Sequence, residues 1–202
     1  MFVGEKMKNH FKVCVLGASG RMGSQIIKRV NASSNMDLHS VVEHKGHNWI
    51  GQDCGEKLLG EENNILVTDD LNLALESADV VIDFSTPDTS LECLKICTQN
   101  NTAHVIGTTG FDSRQESKIT GYAESVVVVK AGNMSVGINV LTSLVERISS
   151  LLDPDFDIEI LEMHHRNKVD APSGTALMLG EAAAKGKGNS LAELRAEVRE
   201  GI

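Results

Sequence analysis

Between residues 12 and 130, short apolar runs rich in Val and Ile alternate with stretches whose apolar positions recur every three or four residues. The first pattern suits buried β-strands and the second suits helices. Residues 12–16 (KVCVL) read as a strand, 24–30 as a helix, and 38–43 as a second strand that ends in an acid. Residues 44–64 are polar and aperiodic, so they read as a loop. The alternation then resumes, with strands at 65–67, 79–85, 103–106 and 126–130 and helices at 71–77, 91–100 and 113–124. This order predicts an α/β fold, a Rossmann-type doubly wound parallel sheet with crossover helices.

The pattern changes near residue 131. Residues 135–152 predict one long helix with Val140, Leu144, Ile148 and Leu151 along one face, stopped by Asp153-Pro154. Residues 156–163 (FDIEILEM) alternate apolar and acidic side chains, the period of a half-exposed strand in a second sheet. Helices are expected at 175–185 and 191–199. The predicted organisation is therefore a dinucleotide-binding domain over residues 1–130, its first ten residues a frayed tail, and a second α+β domain over 131–202.

Composition excludes some function classes. Aromatics make up 3% of the 202 residues and the formal net charge is −9, which disfavours a nucleic-acid binder. No apolar run approaches the ~20 residues needed to span a bilayer, and residues 1–10 lack a signal-peptide core. A cytoplasmic location is expected. Cys14, Cys54, Cys93 and Cys97 form no CxxC pair, and Cys93 and Cys97, four apart, read as small core residues. No metal is expected.

In a parallel α/β sheet, ligands bind beyond the carboxyl ends of the strands. The small, flexible segments 17–23, 85–87, 107–110 and 131–135 all fall at those ends. Gly17, Gly20 and Gly23 form a GxxGxxG turn between strand and helix, suited to a pyrophosphate at the helix N-terminus. Glu43 lies 20 residues after Gly23, where a carboxylate meets an adenosine ribose. Further on, His164, His165, Arg166 and Lys168 precede a helix start at Ser173-Gly174-Thr175. Basic side chains beside unpaired helix amides suit a small anion, a carboxylate or a phosphate. His and Lys are also proton donors.

Taken together, GASGRMG, the strand-end Glu43, DFSTP, GTTGF, AGNMSVGIN and EMHHRNKVDAPSGTA, in this order, resemble the bacterial dihydrodipicolinate (4-hydroxy-tetrahydrodipicolinate) reductase family over residues 12–185. The resemblance implies reduction of a cyclic dicarboxylate by NADH or NADPH in lysine and diaminopimelate biosynthesis, with Glu43 leaning the choice to NADH. It implies cofactor binding by Gly17, Ala18, Ser19, Gly20, Arg21, Met22 and Glu43. Gly107, Thr108 and Thr109, with Ala131, Gly132, Asn133 and Met134, would line the nicotinamide side. His164 and Lys168 would be catalytic; His165, Gly174 and Thr175 would hold substrate carboxylate. Family members run roughly a third longer, so the second sheet is expected to be incomplete, and the family's homotetramer is expected only with the C-terminal segment present. A nucleotide-binding module without turnover is the competing reading. A different two-domain dehydrogenase would need a catalytic Cys or another Lys/Asp arrangement.

Overall fold

Strand β1 (Phe11–Leu16) is buried on both sides: Val13 and Val15 join one apolar cluster, Cys14 and Leu16 another, and all four are almost without exposure. A strand with two apolar faces needs cover on both. This computed structural model describes residues 10–164, 166 and 171–195, and the chain divides into two compact units between Lys130 and Ala131.

In the first unit β1 is followed by α1 (Arg21–Asn31), β2 (Met36–Val42), α2 (Cys54–Leu58), β3 (Val67–Thr68), α3 (Leu71–Leu75) and β4 (Val80–Asp83). Then come α4 (Pro87–Asn100), β5 (Ala103–Ile106), α5 (Ser113–Tyr122) and β6 (Val128–Lys130). The strands pair in the order β3-β2-β1-β4-β5-β6, every pair parallel. Strand order reverses between β1 and β4, which opens a crevice at their carboxyl ends. Ile27, Val30, Val41 and Val67 pack on one face of the sheet; Leu75, Leu94, Ile106 and Ile119 pack on the other. Each such side chain contributes about 1.5–3 kcal/mol by leaving water.

Local signals place the helix starts. Asp70 accepts from the amides of Asn72 and Leu73, Thr86 precedes Pro87 at the head of α4, and Asp112 with Gln115 forms a capping box on α5. The expected loop over 44–64 contains α2. Its five residues are too few to show a period, and Asp53 starts it by accepting from the Glu56 amide at 3.1 Å.

The second unit holds α6 (Val136–Ser149), α7 (Gly174–Gly186) and α8 (Leu191–Leu194). α6 and α7 approach closely at Gly186, where a Cβ would collide with the Glu146 carbonyl and crowd Ser149. Two expectations are corrected here. Residues 156–163 form no strand: a strand needs a ladder, and no described segment of this unit pairs with them. The run is nevertheless tied to α7, since Ile160 approaches it at Gly180, and Lys187 donates to the carbonyls of Pro154 and Phe156. The last helix ends at Leu194 because Arg195 turns to an extended backbone, and residues 196–199 lie outside the described residues. The apolar stripe of α6 does form with Val140, Leu144 and Ile148, each more than half exposed, whereas Leu151 lies beyond the helix end at Ser149 and is exposed too. No described helix is long and apolar enough to cross a membrane.

Candidate functional site

In the first unit the site is built where β1 and β2 end. Gly17 has φ +71°, a left-handed conformation that glycine adopts without strain. A Cβ on Gly23 would collide with the Gly17 carbonyl, so only glycine lets α1 sit this close to the turn. Gly20 is the N-cap of α1, and no side chain caps the helix amides. That leaves the helix N-terminus to an incoming anion, so the residues present fit a pyrophosphate.

Glu43 closes the same turn. The Ser19 amide and hydroxyl both donate to Glu43 Oε1, at 2.6 and 2.7 Å, and the His44 amide donates to Oε2 at 3.2 Å. Burial pushes the Glu43 carboxyl up, but the Ser19 and His44 donors outweigh it and hold the group below its ordinary value. Glu43 is thus an anion at neutral pH, 7% exposed, at the carboxyl end of β2. Beside it the His44 and His47 rings meet edge to face at 5.0 Å, and His47 meets Trp49 at 5.6 Å.

At the ends of β4 and β5, Gly107 packs against the Phe84 ring, which a Cβ there would displace. Thr108 is buried with its hydroxyl turned inward, accepting from the Ser85 amide at 3.0 Å and donating to Asp83 at 3.2 Å. Its side chain is therefore committed to the protein interior. Thr109 is exposed.

The site in the second unit centres on Glu162, to which sequence reasoning gave no role. Its Oε1 accepts from the Ser173 amide at 2.9 Å and its Oε2 from His164 Nε2 at 2.7 Å. The Ser173 hydroxyl, then His164, then the Ser173 amide hold the Glu162 carboxyl at about 2, well below its ordinary 4.5. Ser173 also caps α7, accepting from the Ala176 amide at 3.0 Å. One carboxylate thus ties the imidazole of His164 to the start of α7, where Gly174 and Thr175 stand in the first turn. A Cβ on Gly174 would meet nothing within 4 Å, so its backbone is open to approach. Thr175 Oγ1 accepts from Asn133 at 2.9 Å, which anchors the segment holding Ala131 to Met134. A periodicity search sees Glu162 only as the acidic side of an alternating run; its spacing of two from His164 was the available signal.

His165 and Lys168 lie outside the described residues. The structure brings Gly17, Ala18, Ser19, Gly20, Arg21, Met22 and Glu43 together in the first unit, and His164, Gly174 and Thr175 in the second.

Two sets of possible metal ligands occur among the described residues, Cys93-Cys97-His104 and Glu43-His44-His47. In the first, the contact with Cys97 and then burial push the Cys93 thiol up, so it packs as a neutral core group. The second belongs to the end of β2 described above.

Comparison with known proteins identifies a family over most of the chain. The family model "Dihydrodipicolinate reductase, N-terminus" matches residues 11–134, and "Dihydrodipicolinate reductase, C-terminus" matches residues 137–201. A 4-hydroxy-tetrahydrodipicolinate reductase of a Ruegeria species is 47% identical, covering 94% of this chain and 71% of the relative. The one from Rhizobium rhizogenes is 48% identical, over 94% and 70%. Among solved structures, a dipicolinate-bound dihydrodipicolinate reductase from Paenisporosarcina sp. aligns with TM-score 0.63 and 30% identity, over 96% of this chain and 69% of that one. An amine dehydrogenase from Mycobacterium smegmatis shares the fold, with TM-score 0.54 and 18% identity.

Proposed function

The chain belongs to the dihydrodipicolinate reductase family, and from that premise we propose how its residues carry out the family's reaction. It is an NAD(P)H-dependent oxidoreductase that reduces 4-hydroxy-tetrahydrodipicolinate to tetrahydrodipicolinate, a step of lysine and diaminopimelate biosynthesis. The reduced nicotinamide supplies the hydride; one proton is consumed and the 4-hydroxyl leaves as water. Everything else falls to the protein.

Residues 1–130 bind the dinucleotide, the Gly17–Gly23 turn taking the pyrophosphate and Glu43 the ribose. An anionic Glu43 accepts from a free 2′-hydroxyl and repels a 2′-phosphate, so NADH is favoured over NADPH. His44 and Lys45 soften that repulsion. Gly107, Thr108 and Thr109, with Ala131, Gly132, Asn133 and Met134, line the nicotinamide side.

Residues 131–202 bind the dicarboxylate. The Gly174 and Thr175 amides at the start of α7 and the His165 side chain clamp carboxylate. His164 and Lys168 neutralise and protonate the charge that develops on the substrate as the hydride arrives, which requires no metal. The observation that carries this reading is Glu162, which holds His164 at 2.7 Å while bonded to the α7 N-terminus. A proton donor is thereby oriented beside an anion-binding helix end. We place the activity in the cytoplasm, where the four free thiols persist. The exposed stripe of α6 supports assembly with further protein surface; the mass in solution checks this.

The test is loss of nicotinamide absorbance on addition of freshly prepared cyclic dicarboxylate. Wild type turns over. His164→Ala and Lys168→Ala each lower turnover by roughly 10²-fold or more and leave NADH affinity nearly unchanged. A chain that binds NADH but never consumes it would establish the module without turnover instead.

A further inference from the structure

Beneath the loops that follow β4 and β5 lies a buried polar assembly whose Asp83 and His104 have no part in the reaction as described. Asp83, the last residue of β4, and His104 on β5 are both fully buried. The parallel register sets Asp83 beside Ile106 and Val81 beside His104, so the two side chains meet across the strand pair. His104 Nε2 donates to Asp83 Oδ2 at 3.1 Å. Asp83 Oδ1 accepts three more hydrogen bonds, from the Ser85 amide at 2.9 Å, the Ser85 hydroxyl at 2.6 Å and the Thr108 hydroxyl at 3.2 Å. Ser85 follows β4 and Thr108 follows β5, so one carboxylate holds both strand ends.

We infer that Asp83, oriented by His104, is the positioning residue that joins the β4 and β5 loops into one wall for the nicotinamide half of the cofactor. The inference rests on the cofactor reading above and extends it to two residues that touch no ligand. Its chemistry is specific. Burial alone would push the Asp83 carboxyl up, but His104 and Ser85 hold it below its ordinary value, so it faces its donors as an acceptor-only anion. His104 Nδ1 is buried with no hydrogen-bond partner. The proton must therefore stay on Nε2, directed at Asp83, since a proton on Nδ1 would be stranded. In Asp83→Asn one oxygen becomes a donor. Either the loops lose an acceptor, or His104 takes its proton to Nδ1, where nothing receives it.

The wall faces only one half of the cofactor, and this separates positioning from general stability. The experiment measures dissociation constants for NADH and for ADP-ribose, which lacks the nicotinamide ring, on the full chain. In wild type NADH binds more tightly than ADP-ribose. Asp83→Asn and His104→Leu weaken NADH about 10-fold or more, the weight of hydrogen bonds to a charged group, and leave ADP-ribose unchanged. His104→Gln, whose side-chain amide supplies a donor where Nε2 stood, retains the wild-type ratio. Equal weakening of both ligands, or a lowered melting temperature with both constants unchanged, overturns the inference in favour of a merely structural pair. A wild-type chain that binds neither ligand overturns the cofactor reading and this inference with it.

Discussion

Glu43 and Ser19 are joined twice, the amide and the hydroxyl of Ser19 both donating to one carboxylate oxygen at 2.6 and 2.7 Å. This pair locks the glycine turn after β1 to the end of β2. It makes Glu43 an organised acceptor, as the proposed ribose contact requires.

Replacing Glu43 therefore acts on cofactor choice more than on folding. Glu43→Gln keeps an acceptor for Ser19 but removes the charge that repels a 2′-phosphate. We expect the NADH-over-NADPH preference to fall by about 10-fold, one charge-assisted contact, with NADH itself weakened less. Titration of both cofactors by fluorescence checks it. A preference unchanged in Glu43→Gln would remove Glu43 from the ribose site.

Glu162 predicts a pH signature. Its carboxyl is held at about 2, below its ordinary 4.5, so its contacts with Ser173 and His164 are fully present above 4.5 and fade as pH falls through about 2. Carboxyl-carbon NMR should place the wild-type midpoint near 2. Ser173→Ala should move it upward further than His164→Ala, because the Ser173 hydroxyl is the larger cause. A wild-type midpoint at 4.5 would break the proposed link between His164 and α7.

Two glycines predict opposite stability changes. A methyl group at Gly23 meets backbone at Gly17, which cannot move away as a flexible side chain would. Gly23→Ala should cost about 1–3 kcal/mol and abolish dinucleotide binding. Gly121 lies in α5 with open space where a Cβ would go. Gly121→Ala should stabilise by about 0.4–1 kcal/mol, since alanine loses less backbone freedom on folding. Denaturant midpoints decide both, and a destabilised Gly121→Ala would mean that α5 packs differently from this structure.

The alternation of strands and helices was legible in the sequence because it is a local property. A doubly buried strand such as residues 13–16 must be apolar throughout, a glycine turn must carry its glycines, and a capped helix carries its cap beside it. The same held for Gly17 and Gly23, because the turn carries its glycines in neighbouring positions. α2 escaped because five residues hold too little of a period. The run at 156–163 carried a strand's alternation, yet a strand exists only against a partner, and the partner is not a property of the run.

Only the tertiary structure decided which side chains meet. Asp83 and His104 are 21 residues apart and are brought together by the β4–β5 register, which no local pattern specifies. Ser173 reaches Glu162 across 11 residues because α7 begins where the chain passes Glu162. Each link in both assemblies depends on charge and direction at about 3 Å. Periodicity assigns a residue to a face, but only the packing of elements fixes the partner it finds there.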